Sequence, residues 1–408
     1  MRALLAPAAF AAMCRGLRVI SRLGAPTFLK MLARPQWLFA THVAIPHRPV
    51  TFTAPGDSEQ DDLELCQRII DAYGRAHEGY GDLSAIWTGK IGRYSSGLDA
   101  ALLGRDPEVV GEQLRWLFRR SFLCGISTPI DYEDRAVPRT WSLMTYDSLV
   151  SLAEAVGAIR AENPEQGLAG RAFVEGIDRL PGRIEERIGV SLDFPRVGAP
   201  YGILIGDRLI IRETGRHVHA AIRLHEVVRT HLPGPPPEPG VRIVEIGGGF
   251  GGVAMWYLRL LADRPGSYTI VDLPLMNAFQ AYFLGRIYGP DAIELFGEEH
   301  SAGARVRVVP PQWLQGGDAR ADIVFNQDSM PEMTETAARS YLAWMDENVT
   351  GLFVSCNQEV GDQDGLPTQL VVSEMAGDYE RIERFARQPS WTRRGYVEEV
   401  YGVGIRTA

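Results

Sequence analysis

The stretch Val244–Leu258, VEIGGGFGGVAMWYL, carries five glycines that fit two ligand frames at once. Gly247, Gly249 and Gly252 match G-x-G-x-x-G, in which a helix N-terminus neutralises the pyrophosphate of a dinucleotide. Glu245, Gly247, Gly249 and Gly251 match acidic-x-G-x-G-x-G, which suits S-adenosylmethionine, a ligand with a carboxylate, an ammonium and a sulfonium but no phosphate. Both frames need glycine where a strand turns into a helix, because a Cβ there would hold the backbone away from the ligand. The acid separates the two. Glu245, at the end of its strand, can accept a hydrogen bond from an ammonium directly or through water, and a pyrophosphate has no use for it. Asp272 closes the next strand, YTIVD, about 25 residues after the first glycine, where a carboxylate can accept both hydroxyls of a ribose. Ribose belongs to both ligands, so Asp272 points to a nucleoside, and Glu245 tips the balance to the sulfonium donor. The plain alternatives are that Glu245 caps the helix and that Asp272 is a solvated turn residue before Pro274.

Methyl transfer from a sulfonium is an in-line displacement whose first demand is position. A hydroxyl acceptor is a poor nucleophile, so a general base, or a divalent cation such as Mg²⁺ lowering its pKa, is expected beside it. The segment FNQDSMPEM (Phe325–Met333) follows the fourth strand of this half, and strand C-termini face the ligand crevice in a doubly wound sheet. Its polar residues are therefore expected in the site, Asn326 toward the cofactor and Asp328 and Glu332 to take a proton or hold a cation. The competing reading has Ser329 capping the next helix, with Glu332 completing a capping box. GRHVHAAIRLHEVV places His217 and His219 on different faces of a helix, either of them a candidate base because imidazole titrates near neutrality. Asn357 and Glu359, after the fifth strand, are candidates for hydrogen bonds to the acceptor's hydroxyls or for a metal site shared with Asp328. No His/Asp spacing is strong enough to assert a metal.

These residues need a sheet to hold them. HLPGPPPEPG (His231–Gly240) cannot continue a helix or join a sheet interior, and it separates two differently patterned halves. The expected division is a basic arm over 1–56, a mainly helical acceptor or cap domain over 57–232, and a Rossmann-like cofactor domain over 241–408. The helical half shows apolar residues at helical spacing, as at Leu114, Leu117, Phe118 and Phe122, and ends with a hairpin turning at Gly206-Asp207 and a helix from about Gly215 to Thr230. After the linker, short apolar strands at 242–246, 268–271, 305–309, 322–325 and 351–356 alternate with helical or loop stretches. That rhythm predicts an α/β fold with a parallel sheet, and YERIERFARQ and YVEEVYGVGIR predict a terminal antiparallel pair.

The 408 residues carry a formal net charge of −9, which excludes binding dominated by nucleic-acid phosphates. The cysteines Cys14, Cys66, Cys124 and Cys356 lie far apart, so neither a zinc site nor a disulfide framework is indicated, and a cytoplasmic location fits. From Met1 to Gly56 there is no acidic residue, while seven Arg and Lys residues are spread among Leu, Ala, Phe and Trp. Such an arm can lie on an anionic membrane surface or serve as a packing arm.

The motifs VGAPYG (Val197–Gly202), EIGGGFGG (Glu245–Gly252), VDLP (Val271–Pro274) and FNQDSMPEM with Tyr341 make the chain, from about Trp87 onward, resemble the sugar O-methyltransferase family of class I S-adenosylmethionine enzymes. The resemblance implies a C-terminal Rossmann-like methyltransferase sheet, S-adenosylmethionine as cofactor, and a sugar or glycoside hydroxyl as acceptor in natural-product or polysaccharide synthesis. Family members carry Asn where this chain has Ala199. A polyketide or aromatic hydroxyl is the alternative acceptor, because DLP after the second strand also occurs in small-molecule O-methyltransferases. A non-enzymatic scaffold that keeps the core is the third reading.

Overall fold

The computed structural model describes residues 62–77, 96–119, 136–161, 177–232, 240–261, 266–301, 303–317, 319–361, 369–393 and 395–405. The basic arm, Cys14, Cys124 and most of the proline-rich linker lie outside the described residues. Among the described residues, no helix is long and apolar enough to cross a membrane.

The helical half contributes α1 (Leu63–His77), α2 (Ser96–Gly104), α3 (Pro107–Leu114), α4 (Ala136–Ala155) and α5 (Leu180–Ile188). Local chemistry sets their ends. Asp106 accepts the N–H groups of Glu108 (3.0 Å) and Val109 (3.3 Å), with Pro107 in the first turn of α3, where its missing N–H loses nothing. Gly189 closes α5 at φ 80°. The expected hairpin is present as β1 (Ile203–Ile205) and β2 (Arg208–Ile210), turning at Gly206 with φ 67°, and it leads into α6 (Thr214–His231).

VGAPYG splices the α3 end to this hairpin. Gly198 O accepts the Phe118 N–H (2.9 Å), and Ala199 O accepts Arg119 Nε (3.0 Å). Ala199 is buried at φ 53°, a left-handed conformation that Asn tolerates better than Ala.

The sheet is formed by β3 (Val241–Ile246), β4 (Gly266–Val271), β5 (Ile293–Leu295), β6 (Val306–Val309), β7 (Ala321–Gln327), β8 (Val349–Gln358), β9 (Ile382–Pro389) and β10 (Tyr396–Val403), in the order β5-β6-β4-β3-β7-β8-β10-β9. The six strands β5 to β8 on this order are parallel, and β10 runs antiparallel to both β8 and β9. This is a Rossmann-like sheet ending in an antiparallel hairpin, as the sequence pattern predicts. Strand order reverses at β3, so the ligand crevice opens beyond the C-terminal ends of β3, β4 and β7.

Both faces of the sheet are covered, which explains why its strands read as unbroken apolar runs. Ile243, Ile270, Ile323, Phe325 and Leu352 belong to one hydrophobic cluster, which also takes in α6, α7 (Gly252–Leu260), α8 (Pro274–Tyr288) and the helical half. Val244, Ile246, Val324 and Phe353 belong to the other, under α9 (Glu335–Asn348), where Tyr341 is a core residue. Helix α8 lies between the sheet and α1; a Cβ on Gly285 would come within 2.8 Å of Leu65. A cluster of four phenyl rings joins the halves: Phe250 of the glycine loop meets Phe118 (4.9 Å between centroids), Phe283 (5.2 Å) and Phe194 (6.1 Å), all edge to face.

Candidate active site

The glycine loop is built for the acidic-x-G-x-G-x-G frame. Gly247, Gly249 and Gly251 take φ values of 73°, 60° and 86°, a left-handed alternation that L side chains resist. Gly251 is an ordinary position in the dinucleotide frame but an obligatory glycine here. Gly252 starts α7 with right-handed backbone, and its place is fixed by space: a Cβ there would overlap His217 Nδ1 and approach Phe250 within 2.8 Å.

Glu245 is buried beneath this loop. Its Oε2 accepts the Tyr268 hydroxyl (2.9 Å) and would lie 3.1 Å from a Cβ on Gly248, so that glycine leaves it room. Burial, helped by the neighbouring Asp272, pushes the carboxyl up to about 8. Asp272 follows β4, and its Oδ2 accepts the Gly249 N–H (3.1 Å) and Gln280 Nε2 (2.8 Å), while Oδ1 accepts the Leu273 N–H (2.8 Å). Burial raises it to about 7 against the pull of these three donors. Neither plain alternative describes these acids, since Glu245 caps no helix and Asp272 is braced at the loop rather than merely solvated.

Both carboxyls hold protons in the folded chain at pH values where an unfolded chain has released them. The stability they contribute is full below the ordinary carboxylate range, near about 4, and is lost as the pH rises through their folded values. The melting temperature of the donor-free protein is therefore expected to fall between pH 5 and pH 9 (about the span of these shifts), and Glu245→Gln to flatten that fall. Equal slopes for the two proteins in thermal melts would contradict the assignment.

Asn326 is fully buried under the loop. Its Nδ2 donates to Ile246 O (2.8 Å) and Ser329 Oγ (2.6 Å), and its Oδ1 accepts Asn357 Nδ2 (2.8 Å). The described contacts place it as a brace for the last carbonyl of β3, from below the crevice. Ser329 Oγ donates to the same carbonyl (3.0 Å). The capping-box reading is corrected: Ser329 makes no side-chain cap, Glu332 ends a 3-10 turn over Met330–Glu332, and Thr334 caps α9 by accepting the Ala337 N–H (3.1 Å). Proline at 331 breaks the segment into two turns, moving the cap five residues on. Glu332 is half-buried in that turn.

Asp328 sits just past β7 at φ 70°, a backbone state uncommon outside glycine but tolerated by Asp and Asn. Its Oδ2 accepts Arg393 Nη1 from the β9–β10 turn. Burial would push its carboxyl up, but Arg393 and Arg216 outweigh that and hold it below the usual range, so it is an anion at neutral pH. His217, in the first turn of α6, is half-buried with Nδ1 enclosed and lacking a hydrogen-bond partner. Burial, then Arg216, lowers its imidazole to about 4, which keeps it neutral. His219 lies on another face of α6, beside the Arg223–Glu398 pair (2.7 Å), and burial lowers it too.

The structure thus gathers Glu245, the glycines, Asp272, Asn326, Asp328 and His217 around one loop, while His219 faces β10. Glu359 is taken by Arg387 (2.7 Å) on the edge hairpin. Among the described residues, no three His, Cys, Asp or Glu side chains converge to hold a metal. Besides Arg393, two contributors escaped the sequence reading. Gln280, fully buried on α8, ties Asp272 to Gly249 O (2.9 Å); the signal was a polar residue inside an apolar helix. Phe250 pins the loop into the phenyl cluster, and nothing in its spacing marks it.

No family profile and no curated protein matches the chain. Among solved structures it is similar to the pyocyanin biosynthetic protein PhzM, at 14% identity over 84% of this chain and 94% of that one, with a TM-score of 0.34. It is similar to an O-methyltransferase family 2 protein from Planctomyces limnophilus in complex with apigenin, at 8% identity over 65% and 95% of the two chains, TM-score 0.32. A third is a Burkholderia thailandensis 1,6-didemethyltoxoflavin-N1-methyltransferase with S-adenosylhomocysteine, at 18% identity over 46% and 77%, TM-score 0.30. These overlaps are loose, and the chemistry of the crevice follows from its own side chains.

Proposed function

We propose that this chain is an S-adenosylmethionine-dependent O-methyltransferase that methylates a hydroxyl of a small molecule, a sugar or glycoside in the first place. The observation that carries the reading is the left-handed run Gly247, Gly249, Gly251 set between Glu245 and Asp272. The residues fit the donor: Asp272 offers carboxyl oxygens for ribose hydroxyls, and Glu245, held protonated in the donor-free protein, would ionise against an ammonium. When bound, S-adenosylmethionine supplies an electrophilic methyl on sulfur.

The chain's own residues do the rest. Asp272 flanks β3 on the β4 side and Asp328 on the β7 side, so a nucleoside held by Asp272 leaves the reacting end toward Asp328. Asp328, ionised and partly open, would accept the hydrogen bond of the acceptor hydroxyl and take its proton as the oxygen gains the methyl that the sulfur releases. Its carboxylate is a weak base, which suits a proton that turns acidic only as the oxygen is alkylated. Neutral His217 beside the loop is a second acceptor for it. The polar surroundings, with Arg216, Arg393 and Tyr396 about Asp328, support a hydroxylated rather than an apolar acceptor.

An aromatic or polyketide hydroxyl is the second reading, favoured by the Asp272-Leu273-Pro274 run. Calorimetric titration with S-adenosylhomocysteine and with NAD tests the core of the proposal: the first is expected to bind and the second not. The reverse result would sink it. Mass spectrometry of products from sugar, glycoside and phenol panels then decides the acceptor.

A further inference from the structure

The register of the edge hairpin puts its turn at the crevice. Tyr396, the first residue of β10, pairs with Gln358, the last of β8, so the β9–β10 turn stands at the C-terminal end of the parallel strands, where ligands enter a doubly wound sheet. The turn is closed by Ser390 N–H donating to Tyr396 O (2.8 Å) and Tyr396 N–H donating to Arg393 O (3.2 Å). Arg393 then ties it inward: its guanidinium lies over the Tyr396 ring, 3.5 Å from the centroid, and pairs with Asp328 just past β7. Because β8 separates β7 from β10, that pair leans the turn across the end of β8 toward the proposed proton acceptor. Thr392 is buried, but Trp391 is 52% exposed, and among the described residues it is the only exposed tryptophan or phenylalanine. Two residues of chain, at most about 7.6 Å between Cα atoms, separate it from Arg393. Val360, two residues past β8, is exposed at the same end. A lone exposed apolar residue elsewhere on a surface needs no explanation. Here the backbone carrying the indole is pinned by an ion pair to the carboxylate that the chemistry uses, and ligand pockets combine aromatic walls with a few charged groups. The indole face is electron-rich and attracts the polarised C–H groups of a sugar ring or the edge of another arene.

We propose that the β9–β10 turn is the acceptor platform, on which Trp391 takes the apolar face of a ring whose hydroxylated edge meets Asp328. The acceptor is then cyclic, a pyranose or an aromatic ring, and not an open-chain polyol. This rests on the methyl-transfer reading above and narrows its substrate class. Trp391 supplies contact area that does not depend on charge, while Arg393, through its pair with Asp328, holds the turn and the carboxylate in one geometry. Arg393 is a positioning residue in this scheme, acting on the acceptor only through Asp328 and the place of Trp391.

The full-length protein carrying fluorotryptophan is followed by fluorine NMR, the Trp391 signal being the one of eight that Trp391→Phe lacks. It is titrated with methyl glucoside, catechol and sorbitol. Methyl glucoside or catechol is expected to shift the Trp391 signal to saturation, and sorbitol, rich in hydroxyls but without a ring, is not. Whichever ring binds tighter tells a sugar from an arene. Arg393→Gln, which frees the turn, is expected to weaken that binding about threefold or more. With an acceptor found on the product panel, Trp391→Ala is expected to raise KM about three- to tenfold with kcat unchanged, and to alter S-adenosylhomocysteine affinity less than about threefold. Trp391→Phe keeps most of the acceptor affinity, which a misfolded variant would not. A Trp391 signal that neither ring moves, or that sorbitol moves as far, overturns the proposal. So does ring binding undiminished in Arg393→Gln, or an unchanged KM in Trp391→Ala. Failure of the unaltered protein to bind S-adenosylhomocysteine removes the methyl-transfer reading instead, whereas a ring site at Trp391 that depends on Arg393 stands without it.

Discussion

Asp328→Asn is expected to lower kcat/KM for methyl transfer by about 10²–10⁴-fold, the range that a positioned proton acceptor contributes, while S-adenosylhomocysteine binds as before. Asparagine is the informative substitute. It tolerates the left-handed backbone at φ 70° and can still accept from Arg393, so the fold and the arginine keep their partner. What is lost is the negative charge and the proton-accepting oxygen. Alanine would confound the result, because it would meet the backbone strain and strand Arg393 without its carboxylate. Full turnover in Asp328→Asn, measured as S-adenosylhomocysteine release with an acceptor found on the panel, would remove Asp328 from the chemistry and leave His217 to be tested next.

The second large effect is expected at Gly247. A Cβ there would overlap the Ser329 hydroxymethyl group, which is fixed by hydrogen bonds to Ile246 O and Asn326, and the residue sits at φ 73°. Gly247→Ala should therefore lose donor binding and destabilise the protein through two separable causes. Ser329→Gly removes the overlap but not the backbone cost of about 1–2 kcal/mol. The double variant Gly247→Ala with Ser329→Gly is then expected to be more stable than the sum of the two single losses. Urea denaturation of the four proteins measures this coupling, and strict additivity would show that Ser329 moves aside freely.

Five of the six parallel strands and the closing hairpin were legible because each is an apolar or alternating run bounded by turn residues. β5 was not: Ile293–Leu295 is three residues long, following a 3-10 turn, and no periodicity can show in that span. At the site, Glu245, the glycines and Asp272 were readable because one strand-turn-helix unit and the next strand set their spacing. Arg393 was not, because it comes from the β9–β10 turn and only the folded sheet brings it to Asp328. The Ser329 capping reading failed for a local reason. Both Ser329 and Thr334 are good cap residues, and the carbonyl of Ile246, invisible in a local pattern, competed for the serine hydroxyl.

Phe250 gives the glycine loop an anchor outside the sheet that carries it. Its ring is wedged among Phe118, Phe194 and Phe283, two of which come from before the proline-rich linker. The glycine loop therefore takes its shape in part from Phe118, more than a hundred residues upstream, and from Phe194, also before the linker. A C-terminal fragment starting at the linker would inherit every glycine of the motif and lose the wedge that holds them in place, so the shape of the loop belongs to the whole chain rather than to a transplantable cassette.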